Sequence, residues 1–172
     1  SNKKAYFTNT SFLEYRQRST SYANTYRHND NLMIQSALRV SYTSPKVMHW
    51  ITGLLLWLEK NDNTSKLNSY CAVAEQIVQQ SIIENFFKPC KDGNYRLGVG
   101  TPHIVFNYLD YLIWKNDRNL YKDFTFEFRN SVEHWYPRHP TESEIKTWND
   151  EGVDRFGNLC IIQRNVNSKF YN

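Results

Sequence analysis

Ser131-Val132-Glu133-His134-Trp135-Tyr136-Pro137 and, further on, Arg155-Phe156-Gly157-Asn158-Leu159-Cys160-Ile161-Ile162 are the stretches on which the reading of this chain turns. Residues 131–135 suit an extended segment. Residues 159–162 form a short apolar run with a Gly-Asn turn signal directly before it, which reads as a second strand. The pattern extends in both directions. Upstream, Phe124, Phe126 and Phe128 alternate with Thr125, Glu127 and Arg129, the period of two expected of a strand. Between the strands, residues 141–148 read as a short helix in which Thr141 and Glu144 have the spacing of a capping box. Downstream, residues 166–172 read as the start of a final helix. Strand, long loop, strand, helix is a ββα outline.

The first 120 residues carry a different periodicity. Met33, Ile34, Ala37, Leu38 and Tyr42 follow helical spacing. Residues 46–60 predict a strongly apolar helix starting at Pro45, with Val47, Trp50, Ile51, Leu54, Leu55 and Leu58 on one broad face. Leu67, Tyr70, Cys71, Ala74, Ile77, Val78 and Ile82 predict another, capped by Thr64 or Ser65. Asp92-Gly93-Asn94 signals a turn able to join two short strands. Thr101 as cap and Pro102 as first helical residue then open a helix that buries Ile104, Val105, Tyr108, Leu109, Leu112 and Ile113. The expected fold class is α+β: a helical support region over residues 1–122 and a ββα finger over 123–172.

Composition sets wide bounds. The chain has 172 residues, of which 40% are hydrophobic and 22% charged, so it is long enough for a packed core and too apolar for disorder to be the default. A net charge of +4 permits a polyanionic partner without demanding one. Three cysteines, far apart, match neither a disulfide framework nor a zinc ligand spacing. The longest apolar run is too short to span a bilayer, and with no secretory signal visible the expected location is the cytoplasm. Ser1-Asn2 resembles a protease scar, and the sequence stops where a helix begins. A piece of a longer protein is therefore expected, with the finger truncated at its C-terminus.

The chemistry sits in the last third. Hydrolysis of a phosphodiester needs a base for the attacking water and a cation for the developing charge. His134 suits the base, because imidazole titrates near neutrality. Glu133, adjacent on a strand, points to the opposite face and suits a metal ligand. Asn167, nine residues beyond Asn158, offers a neutral oxygen from the final helix. A carboxylate and an amide oxygen make a hard site that suits Mg²⁺ or Mn²⁺ better than Zn²⁺. Asn158, after Gly157, is expected to pin the loop and orient His134.

Glu133-His134-x-x-Pro137, Gly157-Asn158-Leu159 and Asn167-Ser168-Lys169 together resemble the HNH, or His-Me finger, nuclease superfamily. Within it the similarity is to the C-terminal domain of GmrSD-type, modification-dependent restriction endonucleases. The resemblance covers residues 124–172. It implies His134 as general base with Asn158 as brace, Glu133 and Asn167 as ligands of one Mg²⁺ or Mn²⁺, and DNA as substrate. It also implies a restriction or defence role against foreign or modified DNA, and a nucleotide-dependent N-terminal domain or subunit as partner. Glu133 stands where the superfamily often has Asp, which lengthens the ligand.

Arg138, Arg155, Arg164 and Lys169 are the basic residues placed to hold DNA phosphates, by contacts that are salt-sensitive and blind to sequence. Trp135, Tyr136 and Trp148 suit base stacking. His139, between Arg138 and Pro140, reads as a loop residue, and His28, His49 and His103 lack partners at useful spacing and read as structural or surface residues. The rival reading is a non-catalytic scaffold that keeps the finger fold and binds nucleic acid or protein. A ribonuclease or toxin-like nuclease would use the same site.

Overall fold

Helical spacing in the sequence becomes helix wherever a buried stripe rewards it. A computed structural model describes residues 13–16, 19–22, 30–61, 67–138, 150–164 and 166. Strands β1 (Leu13–Arg16) and β2 (Ser19–Tyr22) form an antiparallel pair with Leu13 opposite Tyr22. Helices α1 (Asp30–Ser41), α2 (His49–Lys60), α3 (Leu67–Ile82) and α4 (His103–Asn116) follow. Strand β3 (Ser131–His134), the four-residue helix α5 (Asp150–Val153) and strand β4 (Leu159–Ile162) complete the described elements. The class is mixed helix and sheet, compatible with α+β. The helices expected over 141–148 and 166–172, and the caps Thr64 and Ser65, lie outside the described residues or in stretches described only at single positions.

One core is built by α1, α3 and α4. Met33, Ile34 and Leu38 of α1 meet Cys71, Ala74, Val78 and Ile82 of α3 and Ile104, Tyr108, Tyr111 and Trp114 of α4. Full burial of such side chains contributes roughly 1.5–3 kcal/mol each, so this cluster supplies most of the drive to fold. The apolar stretch of 46–60 is divided. Pro45–Val47 is a 3-10 turn that closes with the Met48 N–H on the Pro45 carbonyl, and Met48 leaves helical geometry before α2 begins. The buried face of α2 is also narrower than its pattern predicts. Trp50 and Leu54 are buried, while Ile51, Leu55 and Leu58 are exposed, because α2 lays only one edge on α3.

Four further expectations are corrected. The N-terminal region is not wholly helical, since β1 and β2 pair there. Residues 91–93 form a 3-10 turn with Gly93 at φ 70°, so the Asp-Gly-Asn signal makes a turn, but no described strand flanks it. Phe124, Phe126 and Phe128 do not form a strand. Phe124 and Phe126 pack edge to face at 5.0 Å against the helical core, and Arg129 reaches back to Asn107 and Asp110 on α4. Helix contacts replace the partner strand that alternation would have needed. At α4, Thr101 donates its hydroxyl to the Gly98 carbonyl rather than capping the helix, and Pro102 occupies the cap with extended backbone.

Helix α4 is buried on more than one side. Phe106 leaves the helical core and packs on Val132 of β3 and Ile161 of β4, so the strand pair is seated directly on this helix. In β3–β4, Val132 opposes Ile161 and His134 opposes Leu159. Beyond Ile82 the chain continues as a π turn, Ile83–Phe87, which buries Phe86 against Tyr95 and Phe156. No described helix is long and apolar enough to cross a membrane.

A polar knot locks α3 to α4. Glu75 accepts from the Tyr111 hydroxyl and the Lys115 ammonium, both at 2.5 Å. Burial pushes the Glu75 carboxyl upward, but the hydrogen bonds from Lys115 and Tyr111 outweigh it and hold the group below its ordinary 4.5. A depressed carboxyl contributes stability above its unfolded value and loses it as pH falls through the folded one. Urea unfolding midpoints should therefore fall on acidification below pH 4.5, and Glu75→Gln should flatten part of that dependence. An unchanged acid slope in the variant would contradict the assignment.

Candidate active site

The site is assembled by the register of β3 and β4. His134 is the last residue of β3 and stands opposite Leu159, the first of β4. The chain just before β4 therefore folds back alongside the chain just after β3. The Trp135 N–H donates to the Asn158 carbonyl at 2.8 Å and continues the ladder past the strand end. Asn158 occupies a 3-10 turn, Phe156–Asn158, and its side chain is almost wholly buried. Its Oδ1 accepts from the Tyr136 N–H at 2.8 Å, and its Nδ2 donates to the carbonyls of Tyr136 and Val153 at 3.1 and 2.8 Å. One amide thus ties the 135–138 loop to the 153–158 loop and satisfies backbone groups from both.

That tie brings three charged or polar side chains together. His134 Nε2 donates to Asp154 Oδ1 at 2.8 Å. Arg138 Nη2 lies 2.8 Å from the same oxygen and 2.6 Å from Oδ2. The hydrogen bonds from Arg138 and His134 hold the Asp154 carboxyl below the ordinary carboxylate range, and Asp154 pushes the Arg138 guanidinium up in turn. His134 is mostly buried, whereas Arg138 is more than half exposed. The pair with Arg138 therefore orients the carboxylate more than it stabilises the fold. Behind Asp154 stands Gly98, at φ +55°, whose N–H donates to the Asp154 carbonyl at 3.2 Å. A Cβ on residue 98 would lie 2.7 Å from Asp154 Oδ1, so the approach of these two segments needs glycine.

Glu133 lies on the other face of the strand, as alternation requires. Ser131 donates its hydroxyl to Glu133 Oε1 at 2.5 Å, and Cys160 is its cross-strand neighbour. Burial raises the Cys160 thiol, and the Glu133 carboxylate adds to the effect. Glu133 is thus a hard, half-buried oxygen donor beside the histidine, a chemistry that fits Mg²⁺ or Mn²⁺. Asn167 and Lys169 lie outside the described residues. Among the described residues no three His, Cys, Asp or Glu side chains cluster as a ligand set; a site of one carboxylate and one amide would not form such a cluster.

The basic residues separate. Arg138 is engaged by Asp154. Arg155 lines a cleft of about 490 Å³ with Arg96 and Gly157, and Arg164 lines another of about 540 Å³ with Asn130 and Gln163. Trp135 is exposed and Tyr136 half-buried; Trp148 and His139 lie outside the described residues. Asp154 and Gly98 are the site residues that sequence reasoning missed. Only the strand register, with His134 facing Leu159, reveals that position 154 falls beside the histidine.

A strand pair carrying a buried asparagine brace and a His-Asp-Arg cluster defines the class of site. Residues 96–172 match the family model described as GmrSD restriction endonucleases, C-terminal domain. The resemblance seen in the motifs therefore stands, and the match reaches upstream of them to include α4. It relates this region of the chain to restriction endonucleases. No curated protein and no solved structure matches the chain.

Two substitutions test the geometry through stability alone. Asn158→Ala strands buried backbone groups of two loops and should cost at least about 1–3 kcal/mol in urea unfolding. Gly98→Ala meets both a left-handed backbone and the Asp154 carboxylate, and should cost about 1–3 kcal/mol. A loss below a few tenths of a kcal/mol in either would contradict the described packing.

Proposed function

We propose that this chain carries a metal-dependent DNA endonuclease of the HNH type, acting within a restriction or defence protein on foreign or base-modified DNA. The observation that carries the reading is the His134 cluster, braced by Asn158, in a region that matches the GmrSD C-terminal family. The described β3–β4 pair supports the ββ half of a ββα finger, and residues 166–172 would supply its helix. A nucleotide-dependent domain or subunit is the proposed partner, and the cytoplasm the proposed location.

In this mechanism His134 takes a proton from water, which attacks phosphorus in line with the departing 3′ oxygen. Glu133 and Asn167 would hold a single Mg²⁺ or Mn²⁺, which when bound stabilises the charge gathering on the phosphate and leaving oxygen. Asn158 keeps the His134 loop in place without touching substrate. Arg155, Arg164 and Lys169 contact phosphates, and Arg138 adds charge at the cluster while it holds Asp154. Phosphate contacts of this kind bind DNA without reading its sequence, so a preference for modified bases would come from the partner.

The test is plasmid cleavage by the full chain with Mg²⁺ or Mn²⁺, beside His134→Ala and an EDTA control. Nicking should require both metal and His134, with the variant reduced by about 10²–10⁴-fold and still folded. Cleavage that survives in His134→Ala would overturn the assignment of the base. A folded wild-type chain that binds Mn²⁺ but does not cleave would point to dependence on the proposed partner, and one that binds no metal would favour the non-catalytic scaffold.

A further inference from the structure

We infer that Asp154 is a positioning residue for His134: its carboxylate holds the imidazole in the Nε2–H tautomer and so leaves the lone pair on Nδ1 as the proton acceptor. The inference rests on the reading of His134 as general base. It identifies which ring nitrogen does the work and which residue decides it.

The argument begins with valence. An ionised carboxylate can only accept hydrogen bonds, so the 2.8 Å contact between Asp154 Oδ1 and His134 Nε2 requires the hydrogen to sit on Nε2. Asp154 is kept ionised by Arg138, which lies within 2.8 Å of both its oxygens, and by His134 itself. A neutral imidazole with hydrogen on Nε2 has its only acceptor at Nδ1. The tautomer is thus chosen by geometry before any substrate arrives.

Asp154 is itself fixed from several sides. Its carbonyl accepts from the Gly98 N–H, and the carbonyl of the preceding residue, Val153, accepts from Asn158 Nδ2. Gly98 leaves room for the carboxylate where a side chain would displace it. Arg138 thus holds the carboxylate directly, while Gly98 and Asn158 fix the backbone that carries it, and the carboxylate's other hydrogen bond among the described residues is to the imidazole. For a surface ion pair of small energetic value, that amount of support is excessive. For a group whose task is to hold a base within a narrow angular range, it is what positioning requires.

The proposal is tested on the full chain with ¹⁵N-labelled histidine. The wild type should show a hydrogen-bonded Nε2–H proton on His134 that exchanges slowly with water. Asp154→Ala should lose that signal while the backbone amide spectrum is otherwise retained. In plasmid cleavage the same variant should lower kcat by about 10²-fold or more with little change in KM. Should Asp154→Ala fail to fold, Asp154→Asn keeps the shape and one acceptor oxygen, and should show a weakened Nε2–H signal with intermediate activity. A wild-type His134 protonated on Nδ1 would overturn the proposal, as would an Nε2–H signal indifferent to position 154. An expected proton signal in a wild type that neither binds Mn²⁺ nor cleaves DNA supports the tautomer assignment and overturns the nuclease reading instead, so the two failures are separable.

Discussion

The buried side chain of Asn158 is the constraint on which the site depends. It makes one accepted and two donated hydrogen bonds, to backbone groups on either side of a gap that the sequence leaves open. Without it, the Tyr136 backbone would lose two hydrogen bonds to this amide and the buried Val153 carbonyl one, the latter at about 1–3 kcal/mol. With it, the end of β3 and the approach to β4 are held as one unit. His134, Arg138 and Asp154 then meet as a consequence of that clamp. None of the three could hold the arrangement alone, because each sits in or beside an irregular segment.

Helix α4 provides the second constraint, on a larger scale. Its Tyr111 and Trp114 belong to the helical core, while its Phe106 belongs to the small cluster under the strands. The Asn107 amide extends the same logic to polar contacts: its Nδ2 donates to Ser41 of α1 and its Oδ1 accepts from Arg129 ahead of β3. The helical support and the strand pair therefore share a wall. The family match, which begins at residue 96, takes in this helix as well as the motifs. Glu133 and His134 leave the strand on opposite faces, one toward Ser131 and Cys160, the other toward Asp154. A cation at Glu133 and a base at His134 would thus approach a phosphate from different directions, a division of labour suited to in-line displacement.

Much of the secondary structure was legible because local rules and burial agreed. The spacing of Cys71, Ala74, Val78 and Ile82 makes α3 one helix with one buried stripe. Ser131 to His134 and Leu159 to Ile162 pair as their composition suggests. Other signals misled where tertiary contacts prevailed. The alternating phenylalanines pack on helices, and Arg129 anchors the stretch to Asn107 and Asp110 instead of to a ladder. The broad apolar face of α2 is buried only along Trp50 and Leu54. In the site, Glu133, His134 and Asn158 were visible as a motif, whereas Asp154 was hidden. Its role arises from a register between distant segments, and no local spacing encodes that. Gly98 was hidden for the same reason: its need to be glycine comes from Asp154, far along the chain.

The central proposal is that Glu133 and Asn167 hold one divalent cation for the His134 base. Mn²⁺ binding to the full chain, followed by electron paramagnetic resonance, tests it most directly. The account predicts one bound Mn²⁺ per chain, weakened by about tenfold or more in Glu133→Gln and in Asn167→Ala while the fold is retained. Mn²⁺ binding unaffected by both substitutions, or no binding by the folded wild type, would contradict it.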